Sequence, residues 1–152
     1  MDTMKARDIM TRDVISVTKE DTVEKVVKLL LDNGISGLPV VDEENHVVGI
    51  ITEGDLIYRS KKLKIPSYFT LLDSYIFLEN PQNLGDQIKK MVGYKVEDVM
   101  TKKVVKADIN DSVEDVATLM TSKNVNRIPV VENEILVGIV SRRDIIKSYT
   151  ES

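Results

Sequence analysis

The chain has 152 residues, of which 42% are hydrophobic and 30% charged, and its formal net charge at neutral pH is −4. This length and balance are typical of one folded globular domain. Because cysteine is absent and His46 is the only histidine, the composition excludes disulfides, cysteine zinc sites and the common histidine-built metal sites. The negative charge also argues against a nucleic-acid partner, which would require a basic face.

The beginning of the chain, MDTMKARDIMT, carries charges where a signal peptide has an apolar run of about 7–15 residues. No stretch of about 18 consecutive apolar residues, the minimum typical of a transmembrane helix, occurs in the sequence. We therefore expect a cytoplasmic protein that has no membrane partner.

An internal repeat organises the sequence. The segment that begins at Asp8, DIMTRDVISVTKEDTVEKVVKLL, aligns with the segment that begins at Asp98, DVMTKKVVKADINDSVEDVATLM, and the same offset of ninety residues relates Leu38–Val41 to Ile128–Val131. Each copy has only about 50 residues, too few to bury a large core alone. We therefore expect the copies to share a core.

The predicted module consists of repeat 1 (residues 1–59), an inter-repeat segment (60–93) and repeat 2 (94–152), together one compact body. Six of the seven aromatic residues lie between Tyr58 and Tyr94, inclusive. Because free linkers are poor in aromatic residues, we expect segment 60–93 to be partly helical and packed, either on its own core or against a second subunit.

The apolar pattern predicts the same elements in both copies. In the first copy, a β-branched run at Val14, Ile15 and Val17 predicts a strand, and apolar residues spaced i, i+3, i+4 and i+7 from Val23 to Leu30 predict a helix. Two further apolar strands follow, at Leu38–Val41 and Val47–Ile51, with counterparts at Ile128–Val131 and Leu136–Val140. A second helix then follows Thr52 or Ser141.

The first long helix has similar predicted ends in each copy. Asp21 and Asp111, each with a glutamate three residues on, are predicted to cap its N-terminus. Gly34 and Asn124, which tolerate the left-handed conformation, are predicted to end it. The resulting fold class is mixed α/β (α+β), with the order strand, helix, strand, strand, helix occurring twice.

A hydroxyl and a carboxylate recur where the last strand of each copy meets the second helix. Thr52 and Asp55 occupy these positions in the first copy, and Ser141 and Asp144 in the second. One interpretation is a capping box that only stabilises the helix start. The other is a binding site, in which the helix N-terminus favours an anion and the carboxylate accepts hydrogen bonds from ribose hydroxyls.

Glycine stands late in the strand before each junction, at Gly49 and Gly138. A glycine within a strand indicates close approach to the backbone, either by a ligand or by tightly packed protein. The pairs Met10-Thr11 and Met100-Thr101 are most simply interpreted as packing at the entry to a strand, and a small role in ligand contact is left open for the threonines.

The ordered pattern D-h-M-T, D-[ST]-V, h-P-V-V and V-G-h-h-[ST]-x-x-D, where h is an apolar residue, is present twice. It resembles the cystathionine β-synthase (CBS) domain, which occurs as tandem pairs, and the two matches run from about Lys5 to Tyr58 and from Lys95 to Lys147. The resemblance implies two β-α-β-β-α repeats packed about a pseudo-twofold axis, with two clefts that bind AMP, ADP, ATP or S-adenosylmethionine. Such pairs commonly act as regulatory sensors and dimerise.

In such pairs, each cleft takes its hydroxyl and carboxylate from one copy and its base-binding wall from the other. Cleft A would therefore comprise Ser141, Arg142, Arg143 and Asp144, with a wall of Val14, Ile15, Ile35, Ser36 and Gly37. Cleft B would comprise Thr52 and Asp55, with a wall of Val104, Val105, Val125, Asn126 and Arg127. An apolar slot with a few polar groups at its mouth suits a purine nucleotide.

The two predicted clefts differ in charge. Arg142 and Arg143 can hold phosphate oxygens bidentately, unless they are simply a solvated surface. Glu53, at the corresponding place in cleft B, repels phosphate, although Arg127 from the opposite wall can offset this repulsion. We predict that cleft A prefers a phosphorylated nucleotide. Cleft B is then weaker, takes a less charged adenosine compound or stays empty.

The first functional hypothesis is a stand-alone regulatory module that binds an adenosine-type ligand and signals by conformational change. The alternative is a ligand-free oligomerisation or scaffold module. The sequence shows no nucleophile, acid–base pair, metal-ligand set or phosphate-binding glycine motif. We therefore expect no enzyme activity, metal or required cofactor, and as partners a second copy of the chain and a separate effector protein.

Overall fold

The computed structural model describes residues 4–62 and 94–150. The prediction for segment 60–93 therefore falls, apart from its first three residues, outside the described residues. The first copy contributes α1 (Ala6–Ile9), α2 (Val23–Asn33), β1 (Gly37–Val41), β2 (Val47–Thr52) and α3 (Glu53–Lys62). The second copy contributes α4 (Val96–Val99), β3 (Ala107–Asp108), α5 (Val113–Lys123), β4 (Arg127–Glu132), β5 (Ile135–Ser141) and α6 (Arg142–Ser148).

The described residues form two compact units, and each unit contains parts of both copies. Unit 1 comprises residues 4–15, 43–47 and 104–150, and unit 2 comprises residues 16–42, 48–62 and 94–103. The segments 4–15 and 94–103 are therefore exchanged segments, because each belongs to the unit that is built mainly from the other copy.

Unit 1 contains a three-stranded sheet in which β3 runs parallel to β4 and β4 runs antiparallel to β5. The exchanged segment joins its core through Ala6, which is completely buried and whose amide donates to the carbonyl of Asp111 at 2.8 Å. The buried core cluster of this unit consists of Ala6, Ala107, Ile109, Val113, Val116, Met120, Ile128, Val130, Val140 and Ile145.

Unit 2 contains the pair β1–β2, next to which Val17 forms a parallel bridge with Val40. Its exchanged segment contributes Val96, Val99 and Met100, all at most 3% exposed. The strand predicted across residues 14–17 is thus reduced to the bridge at Val17, and its counterpart β3 has only two residues. At both places only one or two residues pair with the neighbouring strand, which is too few for a longer β-ladder.

The N-terminal caps of the long helices lie one residue later than predicted. Thr22 and Ser112 accept hydrogen bonds from the amides three residues on, at 3.2 and 3.0 Å. The predicted caps Asp21 and Asp111 are wrong because their carboxylates accept from amides three residues earlier instead, at 2.8 and 2.9 Å. Each aspartate closes the turn before the helix, and the hydroxyl residue that follows it caps the helix.

The predicted C-terminal ends of these helices are confirmed. Gly34 and Asn124 both adopt the left-handed conformation, with φ of 61° and 54°. The apolar stripe of α2 is buried at Val23, Val26 and Leu30, as the spacing predicts. The helices that follow Thr52 and Ser141 also begin where they are predicted to begin.

The short helices α1 and α4 were not predicted, because four residues cannot show an apolar stripe. Each begins after a lysine whose amide donates to the aspartate three residues on, Lys5 to Asp8 at 2.8 Å and Lys95 to Asp98 at 3.2 Å. None of the helices in the described parts of the chain has the length and apolar character of a membrane span.

Candidate functional site

The junction between β5 and α6 holds the predicted hydroxyl and carboxylate of unit 1 in a reciprocal cap. The Ser141 amide and hydroxyl both donate to Oδ2 of Asp144, at 2.8 and 3.1 Å. The Asp144 amide donates back to the Ser141 hydroxyl oxygen at 3.4 Å. Within residues 4–62 and 94–150, Oδ1 of Asp144 accepts no hydrogen bond.

The junction between β2 and α3 repeats this cap in unit 2. The Thr52 amide and hydroxyl donate to Oδ2 of Asp55 at 2.9 and 3.1 Å, and the Asp55 amide donates back to Thr52 at 3.2 Å. A further hydroxyl, that of Thr101 in the exchanged segment, donates to Oδ1 of Asp55 at 2.6 Å. Both oxygens of this carboxylate therefore accept hydrogen bonds.

These contacts confirm the capping-box interpretation at both junctions. A cap does not remove the carboxylates from solvent, because Asp55 and Asp144 are only half-buried. In each junction the cap holds the carboxylate through Oδ2, and the side chain stays partly exposed to solvent. The same residues can therefore stabilise a helix start and also present a hydrogen-bond acceptor.

The two arginines predicted for cleft A are both exposed. The Arg142 guanidinium donates to Oδ1 of Asn126 at 3.1 Å, and the Arg142 amide donates to the Asn126 carbonyl at 3.0 Å. This pairing holds one edge of the Arg142 fork in place, and none of its other N–H donors has a partner among the described residues. Both arginines thus place positive charge at the start of α6.

The structure distributes the predicted cleft residues over both units. Unit 1 contains Ser141, Arg142, Arg143, Asp144, Val14, Ile15, Val104, Val105, Val125, Asn126 and Arg127, and unit 2 contains Thr52, Asp55, Ile35, Ser36 and Gly37. Each predicted cleft therefore draws on residues of both units. The assignments of cleft A and cleft B stay predictions.

Two loops lie next to a junction that was assigned to the other cleft. The loop at Ser36, predicted for cleft A, borders the Thr52 junction of cleft B, and the loop at Asn126, predicted for cleft B, borders the Ser141 junction of cleft A. In unit 2 the Glu53 amide donates to the Ser36 carbonyl at 2.9 Å, and in unit 1 the Arg142 amide makes the equivalent bond to Asn126. The loop before the first long strand therefore borders the hydroxyl–carboxylate junction of the same unit.

The late-strand glycines make room for the methionines of the exchanged segments. A Cβ added to Gly49 would lie 2.7 Å from Sδ of Met100 and 3.1 Å from the Thr101 carbonyl oxygen, and one added to Gly138 would overlap the side chain of Met10. The structure therefore supports the packing interpretation of both glycines. The Met-Thr pairs dock against β2 and β5 through these contacts.

The contact between Thr101 and Asp55 was missed by the sequence analysis. Its partners are 46 residues apart, and no local pattern indicates that an exchanged segment brings them together. The available signal was the repeat itself, which places Thr11 and Thr101 at equivalent positions, together with the interpretation of Gly49 as a point of close approach.

No group of three or more metal-ligating side chains occurs in the part of the chain that the structure describes. His46 lies in the turn between β1 and β2, with Nδ1 3.7 Å from a carboxylate oxygen of Glu44. The chemistry that the junctions offer is therefore that of hydrogen-bond acceptors, exposed guanidinium groups and helix N-termini.

A repeated α/β unit, with one hydroxyl–carboxylate junction per repeat, defines a tandem-repeat protein of mixed helix and strand. The chain belongs to the CBS domain family, whose model matches residues 6–62 and 96–151. The family and the fold class predicted from the sequence are thereby confirmed.

Known proteins show the same tandem arrangement. An uncharacterized protein of Methanocaldococcus jannaschii is 33% identical over 153 residues, which cover 95% of this chain and 90% of that protein. Inosine-5′-monophosphate dehydrogenase of the same organism is 35% identical over 144 residues, 94% of this chain but 23% of the enzyme. A crystal structure of a CBS domain pair in complex with 5′-methylthioadenosine and S-adenosyl-L-methionine matches with a TM-score of 0.71, 26% identity and coverage of 99% of this chain and 98% of that one.

Proposed function

We propose that this protein is a regulatory CBS-pair module that binds an adenosine-type ligand, such as AMP, ADP, ATP or S-adenosylmethionine, and signals by a change of conformation. The observation that carries the proposal is the junction at Asp144, whose carboxylate is held through Oδ2, accepts no bond at Oδ1 from residues 4–62 and 94–150, and lies beside two exposed arginines. The similar CBS pair that was crystallised with 5′-methylthioadenosine and S-adenosyl-L-methionine supports the adenosine class.

The proposed chemistry assigns one role to each group. The open oxygen of Asp144 accepts hydrogen bonds from the vicinal hydroxyls of a ribose, and hydrogen bonds to a charged acceptor are stronger than neutral ones. The exposed guanidinium groups of Arg142 and Arg143 then hold phosphate oxygens. In cleft B, Glu53 stands where the second junction has Arg142, so a phosphorylated ligand is favoured in cleft A.

The walls of both clefts follow the assignments made above from the family resemblance. Of the apolar wall residues, Val14, Ile15, Ile35, Val104, Val105 and Val125 are half-buried. Partly exposed aliphatic side chains of this kind can cover the faces of a purine, as the slot of a nucleotide site requires.

The proposed output is a shift between conformations. A ligand changes their populations only by the difference between its affinities for the two states. We further propose that the module works as a homodimer and acts on a separate effector protein. The role is one of binding and not of catalysis, in keeping with the small share of the dehydrogenase that the chain matches, 23%.

A ligand panel tests the proposal. Thermal unfolding with AMP, ATP, 5′-methylthioadenosine, S-adenosylmethionine and NADH should show stabilisation by at least one adenosine compound. A ligand at about one hundred times its Kd stabilises the folded state by about 2.7 kcal/mol, which raises the Tm by about 5–10 °C for a chain of this size. No response to any compound would refute the sensor and favour the ligand-free scaffold.

A matched pair of variants tests the site. Asp144→Asn should weaken AMP binding at least tenfold in isothermal titration, because it removes the charge of the proposed ribose acceptor. Asp8→Asn is the control, since Asp8 caps α1 of the same unit through an equivalent bond at 2.8 Å but lies outside both proposed clefts. Equal affinities of the two variants would refute the assignment of Asp144.

A further inference from the structure

We infer that Thr101 is a specificity-determining residue that restricts the Asp55 site, so that the Asp144 site is the one filled first by a ribose-containing ligand. This inference rests on the proposed function and deepens it. It concerns how many hydrogen bonds each of the two equivalent carboxylates can still accept.

The two junctions have the same backbone anchor. Thr101 exchanges two backbone hydrogen bonds with Ile50, of 2.8 and 2.9 Å, and Thr11 exchanges two with Ile139, of 2.9 and 3.0 Å. Each exchanged segment therefore presents a threonine in register with the strand that leads to the junction. The residue type, the anchor and the neighbouring methionine are the same in both units.

The threonine side chains nevertheless differ in what they bind. The Thr101 hydroxyl donates to Oδ1 of Asp55 at 2.6 Å, a short distance of the kind found for bonds to a charged acceptor. Within the described ranges, the Thr11 hydroxyl makes no hydrogen bond, and Oδ1 of Asp144 accepts none.

The count of acceptor positions shows why this difference matters. A carboxylate has about four lone-pair positions, two on each oxygen. The cap uses two of them in each junction, both on Oδ2. With respect to the described residues, Asp144 therefore keeps both positions on Oδ1, whereas Asp55 keeps one because Thr101 takes the other.

A vicinal diol that donates both hydroxyls to one carboxylate needs two free positions. Asp144 offers two without any rearrangement. At Asp55 the diol must displace the Thr101 hydroxyl, which then exchanges a bond to a carboxylate for bonds to water. Because Thr101 is exposed, this displacement needs only a side-chain rotation, and its cost lowers the affinity of the Asp55 site for a ribose.

The test is titration calorimetry with AMP on wild type, Thr101→Val and Thr11→Val. Valine is isosteric with threonine, and both positions are exposed, so we expect these variants to fold. Wild type should have a tighter site that Asp144→Asn removes. Wild type should also have a weaker AMP site that Asp55→Asn removes. Thr101→Val should raise the AMP affinity of this weaker site by about tenfold, and Thr11→Val should leave its affinity unchanged.

Two further measurements separate this role from a general structural one. Thr101→Ser keeps the hydroxyl and should restore the affinity of wild type. With 2′-deoxy-AMP, which donates only one of the two hydroxyls, Thr101→Val should give little or no gain.

The results distinguish the inference from the proposed function. If AMP binds wild type but Thr101→Val leaves the Asp55 site unchanged, or gains equally with 2′-deoxy-AMP, the inference is wrong and the proposed function stands. If AMP binds neither wild type nor any variant, the assignment of an AMP site fails, and the inference fails with it.

Discussion

At the scale of single residues, the Asp21 carboxylate shows how a misassigned cap still contributes to stability. It accepts from the Thr18 amide at 2.8 Å and lies 3.2 Å from the Lys25 ammonium nitrogen. Burial raises the pKa of Asp21, but the hydrogen bonds from Thr18 and Lys25 and the charge of Lys25 together lower it more, so the net shift is downward. The folded state therefore favours the ionised form.

The downward shift of its pKa determines the pH range in which Asp21 stabilises the folded state. A carboxyl group with a depressed pKa in the folded state stabilises the fold above the pKa of the unfolded chain, about 4, and loses this contribution as pH falls through its folded pKa. Asp21→Asn should therefore lower the free energy of unfolding at pH 7 by less than about 1 kcal/mol, with a smaller difference near pH 2.5.

Urea unfolding of wild type and Asp21→Asn at both pH values checks this prediction. Asp32→Asn, which changes an exposed aspartate of the same helix, is the control measured at both pH values. A wild-type advantage that grows as the pH falls would contradict the direction of the shift.

At the scale of elements, the apolar periodicity predicted the long helices and the four main strands to within one or two residues. Glycine and asparagine at the helix ends also carried a clear signal, because few other residues adopt the left-handed conformation easily. The caps at Thr22 and Ser112 were misplaced because an aspartate next to a hydroxyl residue offers two candidates. Only the fold decides which one faces the helix amides.

Because an exchanged segment packs on β2, replacing two nearby glycines by alanine should have opposite effects on stability. Gly49→Ala should destabilise the protein by about 1–3 kcal/mol, since the new Cβ meets the Met100 sulfur at 2.7 Å and the Thr101 carbonyl oxygen at 3.1 Å. Gly54→Ala should be neutral or stabilise by up to about 1 kcal/mol, because its Cβ meets only the Thr52 hydroxyl oxygen, at 3.5 Å, within α3.

Urea unfolding midpoints of both alanine variants, compared at constant m, measure the two effects. The same sign and size for both changes would show that β2 tolerates the added methyl group. In that case the close contact of the exchanged segment would not determine the choice of glycine.

At the scale of the whole molecule, the repeat was evident from the sequence but the exchange of segments was not. The apolar pattern of one copy recurs about ninety residues later, so local periodicity cannot tell which copy Ala6 or Val96 completes. The candidate site was likewise predicted only in part. The hydroxyl–carboxylate pairs were found, whereas the Thr101 contact depends on the exchange.

Because the segments are exchanged, a substitution in the first copy should destabilise elements of the second copy. Ala6→Asp places a charge at a completely buried position of the unit 1 core and should destabilise that unit by at least about 3 kcal/mol. Hydrogen exchange should accelerate in α5 and β4, which belong to the second copy although the substitution is in the first. Arg7→Asp, at an exposed position, is the control.

Exchange that accelerates only within residues 16–42 of the first copy, with α5 and β4 unaffected, would show that Ala6 does not support unit 1. Equal effects of the two aspartates would show that the charge itself, and not its burial, causes the change.

The exchanged segments also set an order for folding during synthesis. Residues 4–15 are synthesised before the rest of unit 1, whose strands and helices extend to Ser148. Unit 2 has all its described parts once residue 103 has been made. At about 5–20 residues per second, Ala6 is made several seconds to about half a minute before α6, so its apolar side chain stays without its partners in the unit 1 core for that time.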